Sequence, residues 1–167
     1  NNNMKRLYVV RHADSSWDNR LLSDFERPLS NKGHLEAQQI SDYLINKNYK
    51  VDFIIHSSAE RTTETAKYIH QNLSKNNALK IFSEKLLYLT EVNDVIKILN
   101  IYLKDYQSIL YVGHNPTITS LVNYISNANI DHIPSSGLSV IDINKYRLQK
   151  SSGDLIEFIY PKKIKFL

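Results

Sequence analysis

Four consecutive apolar residues, Leu7-Tyr8-Val9-Val10, run without a break into Arg11-His12-Ala13-Asp14. An amphipathic strand alternates, so an unbroken apolar run needs burial on both faces, which is the condition of a central strand in an α/β sheet. The next two side chains leave such a sheet at its carboxyl edge. Open α/β sheets bind ligands in the crevice beyond that edge, so Arg11 and His12 are site candidates by position as well as by type.

The pattern recurs. Val51-Asp52-Phe53-Ile54-Ile55 predicts a second buried strand that runs into a polar turn, His56-Ser57-Ser58-Ala59-Glu60-Arg61. Residues 108–112 predict a third, ending in Gly113-His114-Asn115-Pro116. Helical spacing fills the intervals. Ser30 is a candidate N-cap, with Leu29 as staple, for a helix through roughly Lys47 whose stripe is Ala37, Ile40, Tyr43 and Leu44. Ser57 or Ser58 is expected to cap a helix with Thr62, Ala66, Ile69 and Leu73 on one face and Arg61 in its first turn, near unpaired N–H groups that favour anions.

Thr90 is expected to cap a third helix carrying Val92, Val95, Ile96, Leu99 and Leu103. Asn115 is expected to cap a fourth, with Pro116 at its first position and Ile118, Leu121, Val122 and Ile125 inward. Residues 79–82 predict a short strand. The alternating residues 140–143 and 155–159 predict an antiparallel pair at the end of the sheet.

At 167 residues the chain is long enough for one domain with a proper core, expected over residues 4–167. Asn1-Asn2-Asn3 precede the only methionine, Met4, and read as a cloning remnant outside that domain. With no cysteine, the chain has no disulfide, no thiolate metal site and no cysteine nucleophile. No stretch reaches the run of about 18 apolar residues that a membrane helix needs. The apolar segment after Met4-Lys5-Arg6 is too short for a signal sequence, which makes the cytoplasm the expected compartment, with no membrane partner. The net charge of +4 and the cluster Lys162-Lys163-Ile164-Lys165 are read as a solvated basic tail. A nucleic-acid surface would interleave exposed aromatics with the basic residues, whereas most tyrosines here fall within strand or helix patterns.

Three strand ends thus carry Arg11-His12, Arg61 and His114. Each alone has a plain reading, a hydrogen-bonded histidine or a solvated arginine; their coincidence at one sheet edge changes the odds. Two guanidiniums supply paired, permanently charged donors matched to phosphate oxygens. A neutral imidazole can attack phosphorus if its other nitrogen donates to a carbonyl, and a second histidine, protonated by the anion it contacts, can offset charge during transfer. No metal or cofactor is then required, because cationic side chains take the place of Mg²⁺. A zinc site from His12, His56 and His114 is disfavoured by the neighbouring arginines, which would repel a cation. Walker, Gly-x-Ser-x-Gly, His-Glu-x-x-His and calcium-loop patterns are absent from the sequence.

Arg11-His12-Ala13-Asp14 after a buried strand, Arg61 within Ser57-Ser58-Ala59-Glu60-Arg61-Thr62-Thr63-Glu64-Thr65-Ala66, and Gly113-His114-Asn115-Pro116 together resemble the histidine phosphatase superfamily, which contains the phosphoglycerate mutases. Residues 11–18, Ser23-Asp24-Phe25-Glu26-Arg27-Pro28-Leu29-Ser30, Leu87-Tyr88 and Phe158-Ile159-Tyr160-Pro161-Lys162 are similar to the small SixA-type phosphohistidine phosphatases. The resemblance spans nearly the whole chain. It implies a phosphoglycerate mutase-like α/β/α sandwich with a mostly parallel central sheet. It also implies His12 as the nucleophile that becomes phosphohistidine, Arg11 and Arg61 as phosphate clamps, and His114 as the second histidine. Arg27 matches a further arginine of the pattern, contacting phosphate, ordering its loop, or pairing with Asp24 or Asp14.

The sequence departs from the pattern in Ala13 for a common glycine, Ser58 for proline and Glu64 for glutamine. Tyr88 stands where mutases and broad phosphatases of the superfamily carry an acidic proton donor. Glu91 and Asp14 are the nearest candidate donors, each with a plain alternative as a helix first-turn charge or a loop salt bridge. Without an acid, a good leaving group such as an imidazole is favoured over an alcohol. The little spare loop for a lid implies an open site that accepts phosphohistidine on a partner protein. A small phosphomonoester, or phosphate binding without turnover, are the alternatives.

Overall fold

The computed structural model describes residues 4–75 and 78–164; Asn1 to Asn3 and Lys165 of the basic cluster lie outside them. Leu7, Tyr8, Val9 and Val10 are all fully buried in β1 (Lys5–Arg11), and they divide by parity. Leu7 and Val9 enter one core cluster while Tyr8 and Val10 enter another on the opposite face. Period-two alternation in a strand covered on both sides produces this split, and burying each such side chain contributes about 1.5–3 kcal/mol.

The remaining elements follow as α1 (Asn31–Asn46), β2 (Phe53–Ser57), α2 (Glu60–Leu73), β3 (Lys80–Glu84), α3 (Val92–Leu103), β4 (Ser108–Gly113), α4 (Thr117–Ser126), β5 (Leu138–Ile143), β6 (Gly153–Ile159) and a short α5 (Pro161–Ile164). Single 3₁₀ turns occupy Asp24–Glu26 and Lys85–Leu87. The sheet has six strands in the order β3-β2-β4-β1-β5-β6. The first four in that order are mutually parallel, and β5 and β6 are antiparallel, forming the expected pair at one end. α3 and α4 supply Val95, Leu99, Ile118, Leu121 and Ile125 to the core on one face. α1 and α2 supply Ile40, Leu44, Ala66 and Ile69 to the other, giving the three-layer arrangement. Among the described residues no helix is long and apolar enough to cross a membrane.

The expected stripes of α1 and α4 are buried throughout, and the Ser30 hydroxyl caps α1 by accepting from the Gly33 N–H at 3.0 Å. Three expected caps are corrected. α2 starts at Ala59 with no side-chain cap, because β2 runs on through Ser57 and the Ser57 hydroxyl is turned to His114. α3 has Glu91, not Thr90, at its cap position, while the Thr90 carbonyl accepts from the Thr117 hydroxyl. Pro116 is the cap residue of α4, and the Asn115 side chain instead holds Thr119 and the carbonyl of Ile133. For Ser57 and Asn115 a tertiary partner takes a side chain that short-range logic assigns to a helix end.

Candidate active site

Strand register sets the site. Arg11 pairs with Gly113 across β1 and β4, and His56 pairs with Val112 across β2 and β4, so three strand ends finish in one row. His12 continues that row, its N–H donating to the Gly113 carbonyl at 3.1 Å. The imidazole rings of His12 and His114 lie with centroids 5.4 Å apart.

His12 is 8% exposed, and its Nδ1 lies 2.7 Å from the Ala13 carbonyl oxygen. A carbonyl only accepts, so Nδ1 carries the proton and Nε2 keeps the lone pair. Ala13 is itself fixed, because its N–H donates to Thr65 Oγ1 at 2.9 Å and its side chain is fully buried beside Leu29 and Ala37. Burial pushes the His12 pKa down to about 4; the Ala13 bond opposes this and the charges of Arg61, Arg11 and Arg27 add to it. The imidazole is therefore neutral at physiological pH, the form a nucleophile needs.

His114 follows the Gly113 turn. Its Nε2 is 2.8 Å from Ser57 Oγ, and its buried Nδ1 has no partner among the described residues. Burial, then His12 and Arg61, hold its pKa down to about 3, so the protein groups alone keep it neutral. The protonated form expected from the sequence requires the opposite charge of a bound phosphate, which favours imidazolium.

The arginines converge with them. Arg11, His12, Asp14, Ser15, Trp17, Arg27, Arg61 and Ser135 line a small polar cleft of about 210 Å³. Arg61 donates from Nη1 to the Asp24 carbonyl at 2.7 Å and from Nη2 to the Asp24 carboxylate at 3.0 Å. Arg27 is held by the other Asp24 oxygen at 3.1 Å, by the Ser16 carbonyl and by the Ser15 hydroxyl, and its guanidinium covers the Trp17 ring. Tyr88 donates its hydroxyl to Asp24 at 2.6 Å. Tyr88 and then the arginines hold the Asp24 carboxyl down to about 2. Of the readings open for Arg27, the structure shows both cleft lining and the Asp24 ion pair.

A second, largely apolar cleft of about 510 Å³ shares Arg61 with the first and is bordered by Leu87, Tyr88, Leu89, Tyr111, His114 and Pro116. Glu91 lies exposed on its rim. Asp14 borders the polar cleft, but its carboxylate accepts from the Ser30 hydroxyl at 2.6 Å, which ties it to the start of α1. Gly33 permits that approach, since a Cβ there would collide with the Asp14 carbonyl. Beside it, Glu36 accepts from the Asp14 N–H at 2.9 Å, and burial raises its pKa. His56 is apart from the cleft, its Nδ1 on the Ser57 carbonyl. Among the described residues, no group of three or more His, Cys, Asp or Glu could hold a metal ion.

Sequence reasoning placed the two histidines and three arginines but missed what organises them. Asp24 was visible only as a salt-bridge partner three residues before Arg27, and Ser57 only as a cap. The loop between α4 and β5, which brings Ser135 to the cleft, carries no periodic signal and went unread.

The chain is similar to known proteins in sequence and in fold. The model of the histidine phosphatase superfamily (branch 1) matches residues 7–85. A chloroplastic protein of Arabidopsis thaliana without assigned function is 29% identical over 75% of this chain, and a 2,3-bisphosphoglycerate-dependent phosphoglycerate mutase of Hamiltonella defensa is 37% identical over 44%. The matches span only 61% and 30% of those two relatives' own lengths. Among solved structures, the protein assigned as phosphohistidine phosphatase SixA of Agrobacterium tumefaciens superposes with a TM-score of 0.82 at 26% identity, over 94% of this chain and 98% of that one. The protein histidine phosphatase SixA in complex with tungstate has the same fold, with a TM-score of 0.79 at 19% identity over 94% and 97% of the two chains. In sequence over residues 7–85 the chain is similar to the histidine phosphatase superfamily, and its fold is phosphoglycerate mutase-like.

Proposed function

We propose that this chain is a metal-independent phosphatase that works through a phosphohistidine on His12, and that it removes phosphate from phosphohistidine on a partner protein in the cytoplasm. The match to the histidine phosphatase superfamily model over residues 7–85 and the SixA-like fold support the phosphatase chemistry. The observation that carries the reading is the His12 Nδ1 donation to the Ala13 carbonyl, which leaves a neutral Nε2 lone pair in a cleft lined by three arginines.

In the proposed reaction, Arg11, Arg61 and Arg27 hold the non-bridging oxygens. His12 Nε2 attacks phosphorus, the bond from phosphorus to the substrate imidazole breaks, and that nitrogen takes a proton from solvent at the open rim. His114, protonated once the dianion is bound, faces the developing charge. Water then attacks, the bond from phosphorus to Nε2 breaks, and inorganic phosphate leaves. The weak demand of an imidazole leaving group for an acid suits a site whose candidate donors are Glu91, exposed at the rim, and Asp14, tied to Ser30.

A protein substrate is favoured over a small phosphomonoester by the open rim, where Trp17 is 72% and Leu89 86% exposed. The names of the SixA structures, and the phosphate-like tungstate in one of them, point the same way. The test offers a phosphohistidine-bearing protein and p-nitrophenyl phosphate to the protein and to His12→Ala, with EDTA present. Release from phosphohistidine that needs His12 and outpaces the ester is the expected result. Release from the ester alone moves the assignment to small phosphomonoesters. Binding without release from either leaves a phosphate-binding protein.

A further inference from the structure

The reading of Arg11 as a phosphate clamp leaves open what aims it. Arg11 ends β1, and its Nη1 makes two contacts, to His132 Nε2 at 3.2 Å and to the Ile133 carbonyl at 3.1 Å. Those two bonds use both hydrogens of Nη1. Nε is buried and has no partner among the described residues, although the guanidinium borders the anion cleft. The edge formed by Nε and Nη2 is the fork that binds an oxyanion side-on with two parallel hydrogen bonds, and here it is the edge that remains.

From this arrangement we infer that His132 is a positioning residue for the reaction, holding Arg11 by Nη1 so that its Nε–Nη2 edge is presented to the phosphate. A guanidinium only donates, so His132 accepts through a lone pair on Nε2 and must be neutral in this contact. Protonation would set two donors and two positive charges against each other.

The loop that carries His132 is tied to the other half of the site. The Ile133 N–H donates to Thr119 Oγ1 at 3.1 Å, and the Thr119 hydroxyl donates to Asn115 Oδ1 at 2.7 Å. Asn115 Nδ2 donates to the Ile133 carbonyl at 2.8 Å, next to His114 in the chain. Its 3.5 Å separation from His132 Nδ1 is a meeting of two donors and adds no bond. Farther along the loop, Gly137 accepts from the Arg11 N–H at 3.0 Å and the Ser136 N–H donates to the His12 carbonyl at 3.2 Å. Backbone contacts therefore fix the loop against β1 without His132, whose exposed ring is left to act on the Arg11 side chain.

This inference rests on the phosphate-clamp reading of Arg11, so its test is a binding measurement that needs no turnover. Inorganic phosphate is titrated calorimetrically into the full chain and into His132→Ala and His132→Gln. The alanine variant is expected to bind phosphate about tenfold more weakly, and the glutamine variant, whose amide oxygen can accept from Nη1, within about threefold of the parent. With p-nitrophenyl phosphate, KM is expected to rise by the same factor in His132→Ala while kcat stays within about threefold. An unchanged affinity in His132→Ala overturns the inference, as does an equal loss in both variants or a fall in kcat at constant KM. Failure of the parent to bind phosphate also overturns it. A parent that binds phosphate but hydrolyses neither substrate defeats the proposed phosphatase activity and leaves this inference to be decided by the binding series.

Discussion

The His12 and His114 rings meet at 5.4 Å with their planes 57° apart, both buried and both held neutral by their surroundings. Only one ring can gain a proton readily, since the charge on one disfavours charge on the other. This asymmetry distinguishes two otherwise identical side chains. His12 keeps its lone pair on Nε2 through the Ala13 carbonyl, while His114 contacts the Ser57 hydroxyl and has an Nδ1 with no partner among the described residues.

Replacing His12 by alanine is expected to lower turnover of a phosphohistidine protein by at least about a thousandfold while phosphate binding persists on the arginines. His114→Gln, which keeps a polar group but cannot become cationic, is expected to lower kcat about a hundredfold. Steady-state kinetics beside phosphate titration checks both. Equal losses in binding would show that the rings serve the anion pocket alone.

Asp24 sits against two of the three arginines and offsets their charge. Asp24→Asn keeps the backbone carbonyl that Arg61 uses and removes the negative charge. Tighter binding of inorganic phosphate by roughly fivefold is expected, consistent with about 1 kcal/mol for a partly exposed pair. Weaker binding in the calorimeter would instead make alignment of the arginines the dominant effect of this carboxylate.

Gly33→Ala should be destabilising, against the normal preference for alanine in a helix. The added Cβ would meet the Asp14 carbonyl and the backbone around it, which cannot move without disturbing the Ser30 cap and Ala13. A loss of about 1–3 kcal/mol in urea unfolding is expected, where an exposed helix position would gain about 1 kcal/mol.

Stability should fall as pH is lowered from neutrality. The folded pKa values of His12 and His114, about 4 and about 3, lie below the unfolded histidine value of 6.5. The unfolded chain thus binds protons first, and each histidine costs up to about 1.4 kcal/mol per pH unit between the unfolded and folded values. Denaturation midpoints measured from pH 7 to pH 4 should fall for the parent, and less steeply for His114→Gln. Parallel curves for the two proteins would show that His114 is not held neutral.

Much of this molecule could be read from local pattern. The run Leu7 to Val10 must be a central strand because nothing else buries four apolar side chains in succession, and the stripe Ala37, Ile40, Tyr43 and Leu44 must face a core. Strand ends then carry Arg11, His12 and His114 to one edge, so the candidate site groups were legible as well. The tertiary fold decided everything that depends on competition between distant partners. Ser57 turned from a helix end to His114, Asp24 gathered Arg27, Arg61 and Tyr88, and the loop after α4 placed His132 against Arg11. The physical reason is one of range: burial periodicity is written in neighbouring residues, whereas a polar side chain takes the best-aligned partner that folding brings within about 3 Å, whatever its distance in sequence.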